Sequence, residues 1–440
     1  MLTNHRIEKL QEKLREEKLD GAVYATSASL QYLLDDTTYP WQRTPETGFY
    51  VFPGTPMYST ERSYFQAKPD VLLFVPREGA ATVLATYERA RTMSNTPVDI
   101  SCYYVMLAAN LVDVVRGCKR LGVGLCAFTA IENMLKEEGA EDIACVPAEG
   151  LVEALRMIKE PKEIAALRRV AAFTDECMAT ICDMLRPGVT QWEVENRLNQ
   201  LGLEHGCSDV PFSPSCTFTK TGDPRCQDKI GTIPKDEPLT PGTAIAFDNG
   251  FVMDGYCSDY GRSFYCGPAP RHIVDAYKAL QTAQLELLDH IKPGVSMSCT
   301  FAKLHETLSR LGYGENLRNF ANIGMMGHQI GIDVHEIPWL HNTTPEVFQP
   351  GMVMCIEPKL WLPGEAFMRT EDMVLITETG CESLTVLRTA AGISKRILEN
   401  ACFLTMREGA GVFACRGQNE NRFRKRWMIF VSLQAEALDI

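Results

Sequence analysis

The sequence predicts a mixed α/β (α+β) chain with two domains and a carboxy-terminal extension. The chain has 440 residues, which is long enough for two domains with substantial cores. Its first third alternates short apolar runs with amphipathic stretches, a pattern typical of an α/β domain. The part that follows contains two similar pairs of predicted helices, each divided by a Pro-Gly-Val tripeptide. These observations predict one α/β domain followed by a second domain with two like halves.

The first domain is predicted over residues 1–155. An amphipathic helix is expected over residues 5–19, because apolar side chains recur there at helical spacing. A first strand is expected over Leu19–Thr26, and further strands near 71–75 and 81–85, with helical stretches between them. Strands that alternate with helices in this way indicate an α/β domain.

The second domain is predicted over residues 156–388. Pro161 suits the first turn of the helix that opens it. The two pairs of helices are expected over 162–186 with 191–204, and over 267–292 with 297–312. Such duplication indicates internal pseudo-symmetry.

Residues 389–440 are predicted to be an extension of unknown role. Its basic run, which begins at Arg422, is compatible with a surface helix, a partner-binding segment or an extension without function.

Five side chains in the second domain could bind divalent metal ions: Asp248, Asp259, His328, Glu357 and Glu371. The first two lie on strands that are expected to form a hairpin with a turn near Gly255. The histidine lies in a glycine-rich segment that favours a strand or loop over a helix. The two glutamates lie on strands, and Pro358 ends the first of these.

Four carboxylates and one imidazole suit two adjacent divalent cations, because oxygen donors neutralise charge and shared carboxylates bridge the ions. Taken singly, each residue also has an ordinary structural explanation, as a turn acid, a strand-end charge, a partner of Arg369 or a structural histidine. Their occurrence together, each in a marked segment, favours a two-metal hydrolytic centre.

The segments around these residues resemble the pita-bread metallohydrolases, the superfamily of methionine aminopeptidase, aminopeptidase P, prolidase and creatinase. The order in that family is Asp, Gly-Tyr-x-Ser-Asp-x-x-Arg, Gly-His-x-Ile-Gly-x-Asp-x-His-Glu-x-Pro, Gly-Met-x-x-x-x-Glu-Pro and Arg-x-Glu-Asp, and every element is present here. The resemblance is nearest to the Xaa-Pro peptidases and the creatinase-like members. It implies an amino-terminal creatinase/prolidase-like domain followed by a pseudo-symmetric pita-bread catalytic domain.

The resemblance also implies a role for each site residue. The five residues would ligate two metal ions, with Asp259 and Glu371 bridging them, and the ions would lower the pKa of a shared water. Glu357 would also act as general base. His335 would hydrogen-bond the substrate or the developing oxyanion, unless it is simply a buried imidazole. Arg369 would hold Glu371 or its neighbours in place.

The activity implied is that of an Xaa-Pro aminopeptidase or dipeptidase that uses a metal-bridging hydroxide. Oxygen-rich ligation favours Mn²⁺, with Co²⁺, Fe²⁺ or Zn²⁺ as alternatives. A metal-dependent hydrolase or lyase of small amidino, amide or sulfonium compounds is the alternative function. A non-catalytic binding module on the same fold is disfavoured, because the ligand set is intact.

One departure from the family pattern bears on the substrate. Peptidases of the family carry a further histidine upstream of the first aspartate, but no histidine lies between His205 and His272 here. Arg225, Gln227 or Lys229 could take its place, and a cation or amide there would favour an anionic or non-peptide substrate.

Composition limits the partners and the compartment. The net charge of −12 discourages binding to nucleic acid or to anionic membranes. No apolar stretch approaches the ~20 residues of a membrane helix, and the start lacks a signal-peptide core. The 16 cysteines include no Cys-x-x-Cys pair, which favours reduced thiols. We therefore expect a cytoplasmic protein that acts on a small peptide or small molecule, and the resemblance implies a homodimer.

Two cysteines, Cys257 and Cys355, lie two positions from predicted ligands. The period of a strand places each on the same face as its neighbouring ligand, and both are expected to be packing residues.

Overall fold

The structure, a computed structural model, describes residues 2–36, 69, 71–86, 90, 93, 96, 100–102, 107–227, 232–318, 325–385 and 401–402. These residues belong to one compact unit. Lys229 and the basic run that begins at Arg422 lie outside the described residues.

A mixed sheet of six strands forms the centre of the amino-terminal part. Its strand order is β4-β3-β2-β1-β5-β6, with β1 antiparallel to β2 and parallel to β5. The strands are β1 (Gly21–Ala25), β2 (Val71–Pro76), β3 (Thr82–Thr86), β4 (Ile100–Cys102), β5 (Arg120–Val123) and β6 (Ala144–Pro147). Every residue of β1 is buried, because apolar clusters cover both faces of the sheet.

Five helices accompany this sheet: α1 (His5–Glu16), α2 (Ala28–Leu34), α3 (Leu107–Val114), α4 (Phe128–Glu137) and α5 (Glu149–Arg156). Asn4 caps the first of them by accepting a hydrogen bond from the backbone of Ile7. The predicted helix over 5–19 ends earlier than expected, at Glu16. The reason is that Lys18 adopts a φ of 55°, a left-handed conformation that turns the chain into β1.

Two helix pairs follow, as the duplicated pattern predicts: α6 (Pro161–Cys182) with α7 (Gln191–Glu204), and α8 (Arg271–His290) with α9 (Thr300–Arg310). Pro161 occupies the first turn of α6, and Glu163 accepts a hydrogen bond from the backbone of Glu160 in a capping box. His205 is the residue that caps the end of α7. Among the described residues, no helix is both long and apolar enough to span a membrane.

Each helix pair packs on its own antiparallel sheet. The first sheet has the order β19-β11-β8-β7 and the second the order β13-β12-β14-β17-β18, and two short strand pairs lie beside them. The strands are β7 (Ser215–Lys220), β8 (Thr243–Asp248), β9 (Val252–Met253), β10 (Tyr256–Cys257), β11 (Ser263–Cys266), β12 (Gly327–Gln329), β13 (Glu336–Leu340), β14 (Val353–Ile356), β15 (Lys359–Leu362), β16 (Ala366–Arg369), β17 (Asp372–Ile376), β18 (Cys381–Ser383) and β19 (Ala401–Cys402). The predicted α/β fold with a two-halved second part is confirmed.

The alternation of side chains along the strands decides which faces meet the helices. Ile245 and Phe247 of β8 pack with α6 and α7, and Met354 and Ile356 of β14 pack with α8 and α9. Because alternate residues of a strand face opposite sides, Asp248 is directed away from the helices. The predicted ligands therefore lie on the inner faces of the two sheets.

The predicted hairpin near Gly255 is present. Asp254 and Gly255 have φ values of 52° and 76°, and two consecutive positive φ angles are those of a type I′ turn. This turn joins β9 to β10 and sets the register that continues to the bridge between Asn249 and Tyr260.

Candidate metal centre

Four buried side chains converge at the inner faces of the sheets. The ligand atoms of Asp259, His328, Cys355 and Glu371 all lie within 4.8 Å of one another. None of these residues is more than 3 % exposed. The described part of the chain thus contains a compact group of oxygen, nitrogen and sulfur donors, of the types that bind a divalent cation.

Strand pairing explains why these side chains meet. His328 on β12 is the direct partner of Cys355 on β14, which is in turn the partner of Met373 on β17. Direct partners in an antiparallel sheet point to the same face, with Cβ atoms about 5 Å apart. Glu371 precedes Met373 by two residues and shares that face. Its bridge to Gly261 connects this sheet to the segment that carries Asp259.

Two atoms at the centre, His328 Nε2 and Asp259 Oδ1, are available to bind a cation. His328 Nδ1 lies 3.0 Å from the carbonyl oxygen of Gln329, which can only accept, so Nδ1 carries the proton. In the neutral ring Nε2 then presents a lone pair, 3.5 Å from Asp259 Oδ2. The other oxygen, Asp259 Oδ1, is buried without a hydrogen-bond partner among the described residues. A cation between these groups would satisfy both, so the donor set fits a divalent metal ion.

The electrostatics of the buried acids agree with this interpretation. Burial raises the pKa of Asp259 well above its usual value, and the carboxylates of Asp248 and Glu357 raise it further. Burial raises the pKa of Glu371 in the same way, again reinforced by neighbouring carboxylates. Out of water, such acids either hold a proton or need positive charge beside them, and metal ions would supply that charge.

Two of the five predicted ligands lie outside the compact group and contact cationic side chains. Asp248 at the end of β8 forms an ion pair with Arg369, and its side chain is 32 % exposed. Glu357 forms an ion pair with Lys359. Burial opposes ionisation of Glu357, but Lys359 and the more distant cations outweigh burial and hold its pKa at about 2.

Sequence reasoning missed Lys359, which follows Glu357 after a single proline. A cation two positions from a predicted ligand was a signal that could have found it.

Arg369 contacts two of the predicted ligands, Asp248 and Glu371. Its Nη1 pairs with Asp248 and lies 3.4 Å from Glu371 Oε2. The side chain passes over Gly261, where an added Cβ would lie 2.4 Å from Arg369 Cδ. Gly261 thus leaves the space that Arg369 occupies.

His335 lies beside the cluster. Its ring centroid is 4.2 Å from that of His328, and it stacks on Trp339 at 5.0 Å. Burial lowers the pKa of His335 well below its usual value, and the neighbouring His328 ring and the cations Lys359 and Arg369 lower it further. The ring is therefore neutral near pH 7 and can donate one hydrogen bond.

The segment that lacks the expected histidine is only partly described. The guanidinium of Arg225 forms ion pairs with Asp223 and Glu237. Gln227 packs near Gly364, where an added Cβ would lie 3.3 Å from Gln227 Nε2. Arg225 is therefore paired with acids that do not belong to the compact cluster.

Two sheets, each covered by its own helix pair and with a buried carboxylate–imidazole cluster on the inner faces, form the pita-bread fold. Comparison with known families agrees: the metallopeptidase family M24 matches residues 165–378, and the creatinase/prolidase N-terminal domain matches residues 6–158. Residues 6–158 thus form a creatinase/prolidase N-terminal domain, and residues 165–378 form a domain of metallopeptidase family M24, a family that uses divalent metals.

Individual relatives are similar over long stretches. An uncharacterized peptidase of Staphylococcus aureus (strain USA300) is 31 % identical over 234 residues, which are 53 % of this chain and 64 % of that relative. The match thus spans less than two thirds of the relative's length.

Two solved structures superpose on most of the chain. The Xaa-Pro dipeptidase from Bacillus anthracis has a TM-score of 0.70 and 25 % identity, and the match covers 87 % of this chain and 97 % of that one. The prolidase from Pyrococcus horikoshii OT3 also has a TM-score of 0.70, with 21 % identity and coverage of 88 % and 99 %.

Proposed function

We propose that the protein is a metal-dependent Xaa-Pro peptidase of the dipeptidase or aminopeptidase P type. The observation that carries the proposal is the buried cluster in which Asp259 Oδ1 has no described partner and His328 Nε2 faces Asp259 Oδ2. The similarity to an Xaa-Pro dipeptidase supports the choice of substrate.

The proposed metal ligands are Asp248, Asp259, His328, Glu357 and Glu371, which would hold two divalent cations. Mn²⁺ suits their oxygen-rich set, and Co²⁺, Fe²⁺ and Zn²⁺ are the alternatives. When bound, the cations would supply Lewis acidity and lower the pKa of a water nucleophile. Loading them would require Asp248 and Glu357 to share their carboxylates between the metal ions and the cationic side chains of Arg369 and Lys359.

The chain's own side chains would then handle protons and position the substrate. Glu357 would accept the proton of the attacking water, and Lys359 beside it keeps the carboxylate ionised and ready to do so. The neutral His335 would donate a hydrogen bond to the carbonyl oxygen of the scissile peptide, where negative charge develops. Arg369 would hold Asp248 and Glu371 at a fixed separation.

The proposal extends to partners and compartment. The substrate would be a small peptide and the assembly a homodimer, with neither nucleic acid nor membrane as a partner. A cytoplasmic location is supported by the cysteines of the described residues, which are free thiols.

Peptide hydrolysis tests the proposal. Metal-stripped protein would be assayed on Xaa-Pro dipeptides and Xaa-Pro-Yaa tripeptides, with Mn²⁺, Co²⁺ or Zn²⁺ added back. Asp259→Asn removes the charge at the centre. Asp254→Asn is the matched control, since Asp254 is exposed, pairs with Arg169, and has a positive φ that asparagine tolerates.

We expect metal-dependent cleavage that is lost in Asp259→Asn and kept in the control. The ratio of dipeptide to tripeptide hydrolysis would distinguish a dipeptidase from an aminopeptidase. Stoichiometric metal binding without cleavage of any Xaa-Pro peptide would contradict the proposal and favour the non-peptide hydrolase or lyase.

A further inference from the structure

Cys355 lies inside the donor set of the centre. Its Sγ is one of the four ligand atoms that lie within 4.8 Å of one another, with Asp259, His328 and Glu371 supplying the others. The thiol is fully buried. The strand register places it there, because Cys355 is the direct partner of His328.

Hydrogen bonding distinguishes Cys355 from Cys257, the other cysteine near a predicted ligand. Cys257 Sγ donates to the carbonyl oxygen of Ile332 at 3.2 Å, as a buried packing thiol does. Among the described residues no such bond is found for Cys355. A buried sulfur that faces a histidine and two carboxylates without a hydrogen bond is available as a ligand.

A second, independent feature points to an ion at this place. Asp259 is 3 % exposed, and its Oδ1 has no partner among the described residues. The other oxygen, Oδ2, is 3.5 Å from His328 Nε2. An ion with bonds of about 2.0 to 2.3 Å holds tetrahedral ligands roughly 3.5 Å apart, so this set would close on a cation with shifts of about an ångström.

We propose that Cys355 is a sulfur ligand of one cation of the centre, and that it makes this site prefer zinc or cobalt to manganese. The inference rests on the metal centre proposed above and alters its donor set and, with it, the metal ion that the site prefers. The thiol releases its proton to solvent when the ion binds. Sulfur is a softer donor than oxygen and favours zinc, whereas manganese prefers oxygen donors. One sulfur ligand therefore shifts the metal preference of the site from manganese, which the carboxylates alone would favour, towards zinc.

X-ray absorption of the zinc-loaded full-length protein tests the proposal directly. We expect one sulfur in the zinc shell at about 2.3 Å. The sulfur should be absent in Cys355→Ser and in Cys355→Ala, and retained in Cys257→Ser, the matched control. The two substitutions at Cys355 differ in polarity, so at least one is expected to fold, and circular dichroism verifies this.

Cobalt and competition experiments add readouts that do not depend on activity. The cobalt-loaded protein should show a sulfur-to-cobalt charge-transfer band in the near ultraviolet, which Cys355→Ala abolishes. In competition between Zn²⁺ and Mn²⁺, Cys355→Ala should shift the ratio of the two affinities towards manganese by roughly tenfold or more.

The outcomes separate this inference from the proposed function. Zinc bound only by nitrogen and oxygen in the wild-type protein, or a sulfur shell that survives in Cys355→Ala, would overturn the role of Cys355 and leave Xaa-Pro hydrolysis unaffected. Binding of manganese without zinc or cobalt would overturn this inference alone, whereas failure of the wild-type protein to bind zinc, cobalt or manganese would overturn the metal centre itself, and this inference with it.

Discussion

Arg369 at the end of β16 pairs with Asp248 at the end of β8, and the same nitrogen, Nη1, also lies 3.4 Å from Glu371. One guanidinium thus fixes the separation of two predicted ligands that lie far apart in sequence. A charged, planar group with several donors suits this position better than a flexible ammonium group.

We therefore expect Arg369→Lys to weaken metal binding and to lower peptide hydrolysis, each by roughly 10- to 100-fold, the usual effect of removing a group that orients metal ligands. Equilibrium dialysis and steady-state kinetics measure the two effects. Arg168→Lys, which alters an exposed pair with Glu382, is the control. If Arg369→Lys bound metal as tightly as the wild-type protein, the guanidinium would have no positioning role.

Gly261 is expected to tolerate no side chain. A Cβ there would lie 2.4 Å from Arg369 Cδ and 3.0 Å from Glu371 Cβ. Gly261→Ala should displace Arg369 and lower hydrolysis by about 100-fold, since displacements of about 1 Å near a site have effects of this size. Gly150→Ala, where an added Cβ meets nothing within 4 Å, should leave hydrolysis unchanged. Equal rates for the two variants would contradict the close packing at Gly261.

Lys359 competes with metal for Glu357. Replacing Lys359 by methionine removes one positive charge from the centre, worth on the order of 4 kcal/mol at about 4 Å and an effective dielectric constant near 20. The affinity for divalent cations should rise about tenfold or more in a calorimetric titration. Lys303→Met, in an exposed pair with Glu306, should change nothing. An unchanged or weaker affinity in Lys359→Met would show that the ion pair does not oppose metal binding.

A buried ionic cluster next to His335 should make stability depend on pH. Glu336 accepts hydrogen bonds from Arg156 at 2.5 Å and from Lys159 at 2.7 Å, and thereby joins the segment that carries His335 to the end of α5. Burial opposes ionisation of Glu336, but the two cations prevail and lower its pKa from 4.5 to about 2.

An acid whose pKa is lowered by folding stabilises the fold above its unfolded pKa and loses this contribution as pH falls towards the folded value. Glu336→Gln should therefore cost about 3–5 kcal/mol near neutral pH, because it leaves two buried cations unpaired. The deficit should shrink as pH falls from about 4.5 towards 2, which thermal unfolding at several pH values would detect. Glu382→Gln at the surface should cost at most about 1 kcal/mol. A deficit for Glu336→Gln that is the same at pH 3 and pH 7 would contradict the assignment.

The parts of the fold that follow from local chemistry could be predicted from the sequence. The turn at Gly255 requires consecutive positive φ angles, and the two Pro-Gly-Val segments mark helix ends, so the hairpin and the repeated helix pairs were predictable. Helix α1 ended earlier than predicted because Lys18 adopts a left-handed conformation that its residue type does not indicate.

The contacts that depend on pairing between distant strands could not be predicted. Strand periodicity correctly placed Cys355 on the same face as Glu357, but only the register between β12 and β14 sets its sulfur near His328 and Asp259. The sequence predicted a packing role for Cys355, and the structure places its sulfur within 4.8 Å of the ligand atoms of Asp259, His328 and Glu371. The ion pair between Arg369 and Asp248 likewise depends on the packing of β16 against β8, two strands that lie far apart in the sequence.

Anomalous scattering from crystals of the zinc- or cobalt-loaded protein tests the central claim most directly. We predict metal peaks between Asp259 and Glu371, with His328 Nε2 at about 2.0–2.1 Å from one of the ions. Absence of any peak at these residues in crystals that contain the metal, or a peak at other residues only, would contradict the assignment of the centre.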